Sequence, residues 1–242
     1  MTAESNPAEA GTEQKIPTPD QEPHPGDAPE LSEDQALALL QRPEVTGEAL
    51  VSLARNPGTT KSRKVRLALT IHPRTPRHVS LPMLRRLFTF DLMRVALTPT
   101  VAADIKRAAE DQLLNRLESL SMGKKISLAR RASGRVAAAL LRDPEPRIVA
   151  TALENPHLTE AHVVTALTKP DASASLFVIV SAHPKWSLRR EVQIALLRSG
   201  NTPIERAKEF AGNFSEQFLR EVVPEGRLSL IRGKFSGISS SK

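Results

Sequence analysis

The chain has 242 residues, with 34 Lys and Arg against 27 Asp and Glu, a formal net charge of +7 and no cysteine. Without thiols there can be no disulfide and no thiolate metal site, and a reducing compartment fits. No apolar run approaches the ~20 residues of a membrane-spanning helix, and the N-terminus lacks the basic-then-apolar layout of a signal peptide. A soluble, cytoplasmic protein is therefore expected.

Residues 1–30 hold six prolines and almost nothing apolar. Such a segment cannot bury enough surface to offset the entropy of ordering, which predicts a disordered tail. Residues 1–35 contain nine acids and one lysine, a net of −8, and the remainder contains 33 bases and 18 acids, a net of +15. The chain is an acidic tail on a basic body. Such a tail is either a solvated linker or a segment that lies over the body and competes with its partner.

Order is expected from Leu31. Ser32-Glu33-Asp34-Gln35 reads as a capping box ahead of a first helix. Helices follow over about 46–55, 60–71, 76–87 and 90–97. The stretch 101–120 sets Ile105, Ala109, Leu113 and Leu117 against Lys106, Arg107, Asp111 and Arg116. That spacing predicts a long amphipathic helix joining two subarrays, 31–100 and 121–223. Gly123 marks a stop. Further helices are expected over about 124–132, 134–142, 146–154, 160–168, 174–182, 188–198, 203–212 and 215–223. Residues 224–242 read as a loosely ordered tail. Nothing alternates as a strand would, so the predicted class is all-α.

One grammar recurs along the body. A short apolar helix ends in a polar residue and Pro, then a hydroxyl or Pro starts the next helix. Asn56-Pro57, His72-Pro73, Asn155-Pro156, His183-Pro184 and Asn201-Thr202-Pro203 all follow it. The residue before Pro is pushed out of the α region, which ends the helix. Asn tolerates such turns and bonds its own backbone. Pro73 to Pro99 and Pro144 to Pro170 are each 26 residues apart, and Pro156 to Pro184 is 28. A period in this range predicts stacked helical hairpins that bury a core only through their neighbours.

These turns resemble those of HEAT-like and leucine-rich-repeat-variant α-solenoids. The run Gly123-Lys124-Lys125-Ile126-Ser127-Leu128-Ala129-Arg130-Arg131-Ala132, with Asp143-Pro144 and Asn155-Pro156 after it, resembles a group of bacterial proteins of that kind. The resemblance covers 121–203 best, is weaker over 44–100 and is absent before residue 31. It implies a right-handed α-solenoid and a binding role, with no catalytic residue to carry over. HEAT-like folds also include alkylpurine DNA glycosylases, which need a carboxylate among aromatic residues. Phe, Trp and Tyr together make up only 3% of this chain.

Nothing in the sequence marks a catalytic or metal site. It has no phosphate-binding Gly loop, no Gly-x-Ser-x-Gly elbow and no His-Glu-x-x-His. His72 and His183 occupy the slot that Asn56 and Asn155 hold elsewhere, so they read as turn residues. His157 and His162 are five apart, off a common helix face. No cofactor is expected. The candidate binding surface is basic. Lys124, Arg131, Arg135 and Arg142 are spaced to share a side, with Lys125 and Arg130 beside them. Trp186, the single Trp, either packs between repeats or anchors a partner, with Arg189 and Arg190 framing it. The leading expectation is a non-enzymatic scaffold that binds a protein partner, of unstated oligomeric state. The alternative is sequence-independent binding of nucleic acid by the basic body, through salt-sensitive phosphate contacts.

Overall fold

The computed structural model describes residues 31–42 and 44–233. The expected acidic tail, 1–30, and the final residues, 234–242, lie outside the described residues. All regular structure among the described residues is helical. The first helices are α1 (Glu33–Leu40), α2 (Gly47–Arg55), α3 (Pro57–Lys61), α4 (Arg63–Ile71), α5 (Arg77–Leu84), α6 (Thr89–Leu97) and α7 (Ala103–Leu114). A 3-10 turn, Leu117–Ser119, separates them from α8 (Met122–Arg131), α9 (Gly134–Leu140), α10 (Pro146–Leu153), α11 (Glu160–Thr168) and α12 (Ala174–Ala182). The chain continues as α13 (Arg190–Arg198), α14 (Ile204–Ala211), α15 (Glu216–Val222) and α16 (Glu225–Arg232).

Helix starts follow the hydroxyls. Thr46, Ser62, Thr159, Ser173 and Ser215 each accept from a first-turn amide of the next helix, which satisfies a donor that has no intrahelical partner. Ser32 and Gln35 form the expected capping box. Ser62 also explains a difference from the sequence reading. Its cap splits the expected 60–71 helix into α3 and α4.

Helix ends share one device. The side chains of Asn56, His72, Asp143, Asn155, His183 and Ser199 each accept a hydrogen bond from the amide two residues on, at 2.7–3.2 Å. Pro follows five of the six and Gly follows Ser199. His72 and His183 accept through Nδ1, so their ring proton resides on Nε2. In three turns a threonine donates to the carbonyl six residues back, each at 2.7 Å: Thr59 to Leu53, Thr75 to Leu69 and Thr202 to Leu196.

A second set of bonds joins successive turns. Asn155 Nδ2 donates to the Ala129 and Ala132 carbonyls at 2.8 and 3.0 Å. Trp186 Nε1 donates to the Leu153 carbonyl at 2.8 Å. Arg206 reaches the Ser181 carbonyl, Arg227 that of Thr202 and Arg116 that of Leu87. Each donor lies 23–33 residues beyond its acceptor. The acceptors are carbonyls in the last turns of α8, α10 and α12 and in the loops before α6 and α14, where the helix ladder supplies no donor.

Helices pack on alternate members of the series. One set of contacts runs α4 to α6, α8 to α10 to α12, and α14 to α16. The other runs α5 to α7 to α9 to α11 to α13 to α15. The apolar side chains fall into two clusters. The smaller holds Ala36, Leu40, Leu50, Leu53, Val65, Leu69, Val79 and Met83 among others. The larger starts with Leu67 and Leu84 and extends to Ile231. Gly134 permits one close approach in it. A Cβ there would stand 2.2 Å from the His157 carbonyl oxygen, so only glycine fits under that turn.

Two further expectations are corrected. The expected 101–120 helix stops at Leu114, because Arg116 turns away to bond the Leu87 and Arg85 carbonyls. The sequence reading also ended the ordered body at Val223. Helix α16 follows, with Leu228 and Ile231 buried in the larger cluster.

Candidate interaction surface

The residues singled out from the sequence do not form one field. Lys124, Arg130 and Arg131 are exposed on α8. Arg130 and Arg131 sit in its last turn, where cations offset the carbonyl end of the helix dipole. The other cations of the expected stripe are engaged. Lys125 Nζ lies 2.9 Å from Asp143 Oδ2, and the two side chains are only 17% and 7% exposed. Arg135 bridges Asp111 at 2.6 Å and Glu110 at 3.4 Å on α7. The Asp111 carboxylate raises the guanidinium pKa above its usual value. Arg142 pairs with Asp171.

Trp186 is corrected as a surface anchor. It is 2% exposed and packs in the larger cluster. Its indole bonds the Leu153 carbonyl, so burial leaves no polar atom unpaired. The Lys185 ammonium covers the ring at 4.1 Å. His183 beneath it holds the Lys185 amide through Nδ1 and faces Glu154 through Nε2 at 3.0 Å. Arg189 is exposed at the start of α13. Arg190 lies over the Phe214 and Phe218 rings, 5.1 and 5.5 Å from their centroids.

Three of the nine residues do converge. Lys125, Arg135 and Arg142 line a groove of 590 Å³ that runs over α9 between α7 and α11. Its floor is Leu114, Leu117, Ala138, Ala139 and Ala166. The groove exists because α9 is short and carries three consecutive alanines, while its neighbours carry longer side chains. The rim is charged but largely self-neutralised. Lys125, Arg135 and Arg142 have the acids just named, and Asp143 also accepts from the Glu145 amide. Lys169 and Glu118, on opposite walls, make no ion pair among the described residues.

The paired acids were the residues that sequence reasoning missed. Asp143 shows only as a turn residue before Pro, and its partner Lys125 lies 18 residues away. His162 lines the groove, yet it also caps α11 with Thr159. The groove lining contains no Phe, Trp or Tyr. Among the described residues no group of three or more His, Asp and Glu side chains could hold a metal ion.

A second cleft lies between α2 and α5. It comprises cavities of 850 and 280 Å³ that share Val51, Arg55 and His78. Both grooves border the set of helices that includes α5, α7, α9 and α11. No described helix is long and apolar enough to cross a membrane. No protein-family model, curated protein or solved structure matches the chain.

Proposed function

We propose that this protein is a non-enzymatic, HEAT-like α-solenoid that binds a protein partner in the groove over α9. Two features support the solenoid. The alternate-helix contacts recur along the chain, and the bonds from one turn to the next span 23–33 residues, which brackets the 26–28 of the sequence period. A stack of helical hairpins has this pattern, since each unit touches only its neighbours.

The ion-paired rim around an alanine floor carries the partner reading. A phosphate grip needs cations free to release counterions. Here Lys125, Arg135 and Arg142 would have to abandon carboxylates first. An apolar floor with fixed, alternating charges at its edge suits a peptide or helix face instead. A lining without Phe, Trp or Tyr disfavours a small-molecule pocket.

The test is site-specific photocrosslinking in cells. A crosslinking residue at Ala139 should capture one defined protein, while the same residue at exposed Ala150 on α10 should not. Ala138→Arg, which fills the trough, should abolish the adduct. Equal capture at both positions, or capture that survives Ala138→Arg, would sink the reading.

A further inference from the structure

The α2/α5 cleft differs from the α9 groove in one decisive respect. Its cations are not engaged. Arg55 and Arg86 stand exposed on its rim and make no ion pair among the described residues. Glu48 is its one acidic lining residue. Between the arginines the floor is apolar: Val51, Val79, Pro82 and Met83. Pro82 lies inside α5 and has no amide, so the His78 carbonyl on this cleft lacks its intrahelical donor.

A segment of matching pattern exists in the same chain. Residues 1–30 hold seven acids and one lysine, and Met1 and Ile16 are their only large non-proline apolar side chains. Ile16-Pro17 is flanked by Glu13 and Asp20. The two acids bracket the apolar pair as the two arginines bracket the floor, with Lys15 between Glu13 and Ile16. The segment joins the body at α1, which packs on α4, and α4 contacts both walls of the cleft, α2 and α5. The ten residues between Asp20 and Leu31 span on the order of 18 Å on average, and a tethered ligand is present at about millimolar effective concentration. Weak contacts therefore suffice to hold it.

We propose that the α2/α5 cleft is the seat of residues 13–20, with Ile16-Pro17 on the floor and Glu13 and Asp20 on Arg55 and Arg86. The segment shields this cleft from any other acidic peptide. This does not depend on what binds over α9.

The full chain tests it directly, because it has no cysteine and only four methionines. A nitroxide on Ala10→Cys is combined with methyl-labelled methionine. Met83 lines the cleft, whereas Met93 on α6 and Met122 on α8 do not. The Met83 methyl should lose most of its intensity in the oxidised sample, with Met93 and Met122 retaining theirs. Sodium chloride at 1 M, where the screening length falls to ~3 Å, should restore it. So should Arg55→Glu with Arg86→Glu. Glu13→Lys with Asp20→Lys should act likewise, and an unchanged Tm for that variant separates loss of docking from loss of folding. An unaffected Met83, equal loss at all three methyls, or a loss that fades on dilution (a second copy's segment) would each overturn the proposal.

Discussion

His72 shows how a single side chain sets the chemistry of a turn. Its Nδ1 accepts the Arg74 amide at 3.2 Å, a bond that only the neutral ring can make with that nitrogen. Burial lowers its pKa below the usual histidine value, with Arg74 adding repulsion and a bond to the Arg42 backbone opposing both. The sign follows from linkage. As pH falls below about 6.5 the unfolded chain takes up the proton first, so folded-state stability declines from there downward. Asn occupies the equivalent slot at Asn56 and Asn155 with the same bond. His72→Asn should therefore stay within about 1 kcal/mol of the parent at pH 7.5. It should lose less stability than the parent between pH 7 and 5, measured as Tm against pH. Parallel curves for the two proteins would remove His72 from the account.

At the scale of elements, Asn155 is the strongest single tie. It is fully buried and joins three backbone groups: the Ala129 and Ala132 carbonyls at the end of α8 and its own turn's His157 amide. Truncation strands all of them, at about 1–3 kcal/mol for a buried unsatisfied group. Asn155→Ala should cost about 2–4 kcal/mol in urea unfolding followed by Trp186 fluorescence, with an unchanged m-value. Asn155→His should fall between, since His183 shows that the ring can make the turn bond but it offers no two-pronged donor. A loss below about 1 kcal/mol would mean that water replaces Asn155.

The turns were legible because their signals are local. Pro after a polar residue, and a hydroxyl ahead of the next helix, act within a few positions. Most helix positions follow from that alone. What the sequence concealed depends on residues 18–33 positions apart. Lys125 and Arg135 look free until helix packing brings Asp143 and Asp111 to them. Trp186 could face in or out until Leu153 supplies an acceptor. Helix α16 has only Leu228 and Ile231 to bury, and their worth emerges once Arg227 fixes it to the Thr202 carbonyl.

For the molecule as a whole, the division of the core matters more than the number of helices. The smaller apolar cluster draws on α1, α2, α4 and α5, and the larger takes over from Leu67 on α4 and Leu84 on α5. The two are joined through helices that contribute side chains to each. Proteins open in cooperative units of differing stability, so such a seam can separate unfolding into steps. The single Trp lies in the larger cluster and reports it alone. Leu50 is fully buried in the smaller one. Leu50→Ala should cost that cluster about 2–5 kcal/mol. Its early melting should appear in far-ultraviolet circular dichroism while the Trp186 fluorescence midpoint stays fixed. Leu153→Ala, in the larger cluster beside Trp186, should move the fluorescence midpoint. If Leu50→Ala shifted both probes equally, α4 and α5 would couple the clusters into one cooperative unit, and the seam would have no thermodynamic meaning.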